Sequence, residues 1–201
     1  VVHLNNLAHA FPQGHVVLVL ISPCHSTFTH PSPDPLTTTL FTGTGHLDLP
    51  VRPARTGDEE LPPFGPPEQA PVPESRALTH NRGRRSREHD PTTGEIVSIA
   101  FRDGGENGTA ALSQVPDIDL DFGHAFRRTH RIRDDDPLSA KCELVQRSVL
   151  RRTGWLAQVD CCTELTADAN QFRVRATLSA SHNGEQIFSR EWDQRVPRRL
   201  V

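Results

Sequence analysis

Between residues 171 and 180 the chain alternates without a fault, and this run sets what the chain can fold into. Phe172, Val174, Ala176, Leu178 and Ala180 fall on one face, and Gln171, Arg173, Arg175, Thr177 and Ser179 on the other. A period of two is the mark of a β-strand with one buried face. The stretch 155–164 nearly repeats it, with Trp155, Ala157, Val159 and Cys161 opposed to Gln158, Asp160, Cys162 and Glu164. A third strand, 186–192, follows the turn pair Asn183-Gly184. No nucleophile motif, metal cage or phosphate loop sits in this C-terminal third, 137–201.

The last turn raises a question of register. A two-residue Asn-Gly loop pairs Ala180 with Ile187 and leaves Phe188 and Trp192 on the face away from Phe172 and Leu178. A three-residue loop, His182-Asn183-Gly184, sets Leu178 opposite Phe188 and Val174 opposite Trp192, with Gly184 in the left-handed position of a bulged hairpin. A one-residue slip moves every side chain to the other face, so the apolar face favours the three-residue loop. At the preceding turn, Thr153-Gly154 joins 142–152 to the strand from Trp155 and sets Leu150 on the face of Ala157.

The whole chain supports an all-β reading. Its 201 residues make one ordinary domain, with a modest 35% of apolar residues and 17 prolines, a mix that suits short strands and long turns. Met is absent and Lys141 is the one lysine, so good helix formers are scarce. A net charge of −3 argues against a general nucleic-acid binder. The longest apolar run, 16–21, is the size of a strand and too short to span a membrane. Without a signal peptide, a soluble cytoplasmic location is expected. The chain opens Val1-Val2, directly in strand-like sequence, and on that ground is expected to be the C-terminal piece of something longer.

Further strands are expected at 1–8, 16–21, 36–41 and 46–51, the second of them apolar throughout, as a strand covered on both faces is. The stretch 52–74, dense in proline, reads as an extended surface crossing that covers or clasps something. Residues 76–80 and 96–101 are expected to form a hairpin around 81–94, with Pro91-Thr92-Thr93-Gly94 as a turn. The basic cluster Arg82-Gly83-Arg84-Arg85-Ser86-Arg87 lacks aromatics for base stacking and reads as the solvated tip of that hairpin. The stretch 123–133, a row of Arg and His, reads as an edge strand whose charge discourages further pairing.

Several constellations invite sharper chemistry. Eleven His and four Cys suggest a metal, but Cys161-Cys162 are adjacent and alternate across a strand, while Cys24 and Cys142 stand alone. His25 and His30 have a ligand interval but no matching partner pair. Core Cys and surface His are the expectation, with a Cys142 disulfide to Cys161 or Cys162 geometrically open but reduced in a cytoplasmic protein. The run Asp117-Ile118-Asp119-Leu120-Asp121 resembles a calcium loop but has Phe122 and Arg128 where the loop needs Gly and Glu; the alternation of Ile118, Leu120 and Phe122 reads as a strand. Asp134-Asp135-Asp136 reads as a solvated turn, and the sequon Asn107-Gly108-Thr109 has no meaning without secretion. A nucleophile built on Cys24 and His25 lacks the strand-turn-helix context. No catalytic, cofactor-binding or metal residue is therefore assigned, and no cofactor is expected.

Laid end to end, the motifs resemble the C-terminal part of the cocaine-esterase and Xaa-Pro dipeptidyl-peptidase-like hydrolases. The carriers are AHAFPQGHVVLVLIS from Ala8, PSPDPLTTTLFTG, HLDLPVRP, DDDPLSAKCE from Asp134, TADANQFRVRATLSA and the ending FSREWDQRVPRRLV. The resemblance implies a jelly-roll, galactose-binding-like β-sandwich lacking its opening strands and appended, in the family, to an α/β-hydrolase domain with a Ser-His-Asp triad. No G-x-S-x-G elbow occurs in this chain, and Ser22-Pro23-Cys24-His25 replaces an aromatic pair typical of the family. The resemblance thus implies a non-catalytic accessory domain of a serine esterase or Xaa-Pro dipeptidyl peptidase. Its partner would be the α/β-hydrolase domain, with homo-oligomers open and with no nucleic acid or membrane. Phe11, Phe64 and the 52–74 crossing are then expected on the surface that the hydrolase covers. The alternatives are a stand-alone carbohydrate-binding module, which the absence of Tyr disfavours, an independent metal-dependent enzyme, and a fragment without function.

Overall fold

A computed structural model describes residues 2–198 apart from 6, 23–28, 35, 54, 64, 69 and 106–107, and describes Glu59 without its side chain. The chain is all-β, as the alternation predicts. Among the described residues nine strands follow in order: β1 (Arg76–Ala77), β2 (Arg82–Asp90), β3 (Glu95–Asp103), β4 (Ala111–Val115), β5 (Leu120–Arg133), β6 (Asp136–Arg152), β7 (Trp155–Ala167), β8 (Gln171–His182) and β9 (Glu185–Pro197). All pair antiparallel in one open sheet. From β5 to β9 each strand pairs with the next in sequence, the simplest arrangement for strands joined by tight turns. The free edge of β5 is shared: residues 120–124 pair with β4 and 126–133 with β3.

Turn chemistry explains the long meander. Asn183 and Gly184 both adopt positive φ, 49° and 85°, the combination that a two-residue hairpin turn requires and that this dipeptide tolerates. Asp135 (φ 59°) turns β5 into β6, and Gly154 (φ 71°) turns β6 into β7. Side chains reinforce the corners. Asn183 Oδ1 accepts from the Leu156 amide at 2.8 Å, and Asp168 Oδ1 accepts from the amides of Asn170 and Gln171.

The register corrects the expected last hairpin. The turn is two residues long, with His182 opposite Glu185 and Ser181 opposite Gln186. A bulge at Ile187 then shifts the register, so Phe188 faces Ala180, Arg190 faces Leu178 and Trp192 faces Ala176. Phe188 and Trp192 still reach the face of Phe172 and Leu178. The apolar face decided the outcome, but a bulge achieved it where a longer loop was expected. At the other turn Leu150 lies opposite Ala157, as expected.

Four further expectations are overturned. The stretch 123–133 lies inside β5 and is paired on both edges: Gly123, Ala125 and Thr129 are buried on one face, and His124, Arg128 and His130 fall on the other. The basic cluster 82–87 is strand β2, zipped to β3 through the 91–94 turn; it is no hairpin tip. Residues 76–77 pair instead with β4, Arg76 opposite Gln114. The aspartate run starts as a 3-10 turn, Pro116–Ile118, with Asp119 left-handed, and the strand begins at Leu120.

No strand forms among the described residues of 2–75, so the strands expected within 1–8, 16–21, 36–41 and 46–51 are absent there. Val16, Leu18 and Leu20 are more than 80% exposed. An all-apolar strand needs cover on both faces, and one open sheet supplies none. The 52–74 crossing is irregular and exposed as expected, apart from one 3-10 turn, Asp58–Glu60, where Arg52 pairs with Asp58.

Candidate functional site

The strand registers sort the sheet into two chemically different faces. One carries ion pairs: Arg151 with Asp121 (2.6 Å), Arg147 with Asp160 (2.6 Å), Arg173 with Asp193, and Glu164 held between Lys141 and Arg175. Lys141, and after it Arg175, hydrogen-bonds to Glu164 and holds its carboxyl below the usual range. The opposite face bears Trp155, Val159, Phe172, Leu178, Phe188 and Trp192 on β7, β8 and β9. Nothing among the described residues packs over most of it: Trp155 remains 38% exposed and Phe188 47%. Among the described residues the fully buried apolar side chains are small: Ala110, Ala125, Ala140 and Pro31. A sheet of this size normally buries one face against a second layer. This apolar face is the candidate docking site.

One segment does reach it. Pro31 is buried, and the ring of His30 meets Phe172 edge-on at 5.4 Å between centroids. From beyond β9, the Arg198 guanidinium stacks 4.8 Å over the same Phe172 ring and donates to the Pro31 carbonyl and the Asp168 carbonyl. The Arg198 amide also donates to the Asn170 carbonyl at 2.8 Å. The chain's ending thus clamps residues 30–31 onto the start of β8.

Beneath this clamp lies a cavity of about 410 Å³. Its floor is one row of cross-strand partners, Arg87, Ser98, His130, Cys142 and Leu165, carried by five neighbouring strands. His30 and Pro31 form the roof, and Ile96, Ile132 and Ala140 complete an apolar wall. His130 Nε2 lies 3.9 Å from Cys142 Sγ. Burial pushes the His30 pKa down, with the charge of Arg198 adding to it against the backbone of Pro31 and Ala140. Burial, then Arg128, lowers that of His130, while burial raises the Cys142 thiol. At neutral pH the three groups are therefore an uncharged pair of imidazoles and a thiol, which makes a poor nucleophile.

Those shifts set a pH dependence. The unfolded chain takes up protons near the ordinary imidazole value of 6.5, and the fold resists that uptake at His30 and His130. Their contribution to stability is complete above that value and is lost as pH falls through it towards the lower folded values. The midpoint of urea unfolding is expected to fall as pH drops below about 6.5, and the double variant His30→Gln/His130→Gln to flatten that limb. An unchanged slope in the double variant would refute the assignment.

The constellations singled out in the sequence are dispersed. Cys24 and His25, and with them the candidate nucleophile, lie outside the described residues, as do Phe64 and Asn107. Cys142, Cys161 and Cys162 are free thiols; Cys161 and Cys162 face opposite sides of β7. Among the described residues no three His, Cys, Asp or Glu side chains come together to hold a metal. Asp121 Oδ2 accepts from Arg151 Nε and Nη2, at 2.9 and 2.6 Å. Phe11 is exposed, as expected. No helix of the described residues is long and apolar enough to cross a membrane. The meeting of His130 with Cys142 went unread because it depends on a bulge between Arg131 and Arg133 that shifts the β5–β6 register.

Comparison with protein-family models, with curated proteins and with solved structures gives no match to this chain.

Proposed function

We propose that the chain is a non-catalytic accessory domain of a serine α/β-hydrolase of the esterase or Xaa-Pro dipeptidyl-peptidase type. It packs on the catalytic domain through the apolar face of its sheet and shapes the substrate cleft. The observation that carries this reading is that face: Trp155 on β7 and Phe188 on β9 stand exposed on it, opposite ion pairs that keep the other face suited to water. The motif series from Ala8 to the FSREWDQRVPRRLV ending names the class of partner. The jelly-roll sandwich belongs with the same reading. The β-prone runs 16–21, 36–41 and 46–51, left without pairing in the open sheet, are the material for a second layer.

Labelling with a fluorophosphonate probe, beside an ester-hydrolysis assay, tests it. The chain alone is expected to take no label and turn over no ester. Stoichiometric labelling that heat denaturation abolishes would overturn the reading.

One observation favours a second reading, a carbohydrate-binding module. Trp155, His182 and Phe188 gather at the end of the sheet beside the 153–154 and 183–184 turns, with Trp155 and His182 6.3 Å apart. Exposed rings beside loops suit sugar stacking. Retardation of the chain in polysaccharide-containing gels, lost in Trp155→Ala, would favour this module over the accessory domain.

A further inference from the structure

We propose that the cavity beneath residues 30–31 binds a small carboxylic acid with an apolar body. The inference concerns the chain by itself and does not rest on the hydrolase partner.

Three features of the cavity select this chemistry. Its volume, about 410 Å³, lies in the range of small-molecule sites. Most of its wall is apolar, from Ile96, Ile132, Ala140, Leu165 and Pro31, and so asks for a hydrocarbon body. The charge at its lining is positive and one-sided. Of the three cations there, Arg131 is neutralised by Glu95 at 3.2 Å and Lys141 by Glu164, whereas Arg87 has no carboxylate partner among the described residues. Among the described residues no Asp or Glu lines the cavity. An unpaired guanidinium beside a low-dielectric wall favours an anion, and its planar fork suits a carboxylate.

The roof adds a polar requirement. Both ring nitrogens of His30 are buried without a hydrogen-bond partner. The backbones of Pro31 and Ala140 lie beside the ring, but neither closes a bond of good geometry. A buried polar atom left so is costly, and a carboxylate oxygen would accept from a ring N–H. Being neutral at pH 7, His30 and His130 supply hydrogen bonds with no further charge. The site therefore discriminates by one cation, one or two N–H donors and an apolar pocket. A second cavity, on the ion-paired face, differs in its charge: the carboxylates Asp103 and Asp160 line it beside Arg82, Arg127 and Arg147, and an entering anion would meet both.

Calorimetric titration of the whole chain with hexanoate, hexanamide and acetate at pH 7 tests the proposal. Hexanoate is expected to bind at least about tenfold more tightly than either, because the amide lacks the charge and acetate lacks the body. Arg87→Gln should erase the preference for hexanoate over hexanamide, and Leu165→Trp, which fills the cavity, should abolish both. Arg84→Gln, an exposed change on the same strand that does not line the cavity, should leave hexanoate affinity unchanged. Circular dichroism of each variant verifies the fold, and Arg87→Lys offers a second variant that keeps the cation but loses the fork. Equal affinity for hexanoate and hexanamide, or an undiminished preference in Arg87→Gln, would overturn the proposal. So would equal binding of acetate, which marks a bare anion site, or an equal loss in Arg84→Gln, which marks diffuse attraction.

Discussion

Replacing Trp155, Phe188 and Trp192 together by Gln, Thr and Gln is expected to leave the fold standing and to abolish its stickiness. In a closed core each aromatic truncation costs about 3–5 kcal/mol, so the triple change would unfold most domains of this size. Here the face is still open: Trp155 is 38% and Phe188 47% exposed, and Trp192 is half-buried with the Arg190 guanidinium stacked over it, at 4.9 Å. The triple variant should therefore lose less than about 3 kcal/mol by urea unfolding, a fraction of the closed-core cost. Binding of a hydrophobic dye, and concentration-dependent light scattering, should fall to near background. Docking to a catalytic domain should suffer far more. If each ring has about 100 Å² left to cover, the three forfeit roughly 7 kcal/mol of gross apolar burial. Even after the costs of association, affinity would drop by at least about a hundredfold. Cooperative unfolding lost altogether in the triple variant would mean that these rings already form a core, and the accessory reading would lose its main support.

The second large effect sits at the other end of the sheet. A methyl group on Gly104 would stand 2.7 Å from the Ala110 carbonyl oxygen and 2.7 Å from Ala111 Cα; one on Gly123 would stand 2.7 Å from the Ala111 oxygen and from Leu112 Cδ2. Neither glycine is there for an unusual φ; each is there for space. Because most of these contacts are backbone, β4 itself has to move. Gly104→Ala and Gly123→Ala are each expected to destabilise by about 1–3 kcal/mol. The double variant should cost less than the sum, since both substitutions press on Ala111 and the first already displaces it. Gly83→Ala is the control: its methyl would meet only the Phe101 oxygen, at 3.5 Å, and should be neutral or slightly stabilising. Urea midpoints of the four proteins decide the matter. Indifference at Gly104 and Gly123 would mean that β4 does not approach β5 as closely as described.

Much of the sheet was legible in the sequence because alternation is a local property. Phe172 to Ala180 opposite Gln171 to Ser179 specifies a strand and its two faces whatever surrounds it. The turns at Thr153-Gly154, Asp134-Asp135 and Asn183-Gly184 were legible for the same reason, since positive φ is tolerated by few residues. The stretch 16–21 shows where such reasoning stops. Six apolar residues are strand-prone anywhere, but they become a strand only when another element offers hydrogen bonds and cover.

The cavity was beyond local reading for a different reason. Arg87, Ser98, His130, Cys142 and Leu165 are scattered over 79 positions of sequence, and they share a row only because four strand registers agree. Two of the sheet's registers shift at bulges, near Ile187 and between Arg131 and Arg133, where one residue more or less flips a face. His30 joins from more than fifty residues before β2, brought in by a cation on Phe172 and a carbonyl contact from Arg198.

By itself, then, the sequence determined that this protein is all-β, where its C-terminal strands run, and which of their faces is apolar, because period and turn chemistry act between near neighbours. The tertiary structure alone decided that β5 lies inside the sheet, that a bulge rather than a longer loop brings Phe188 and Trp192 round to the apolar face, and that a cation, two neutral imidazoles and a thiol meet in one cavity. Those outcomes depend on pairing between distant strands, whose energy no single stretch of chain contains.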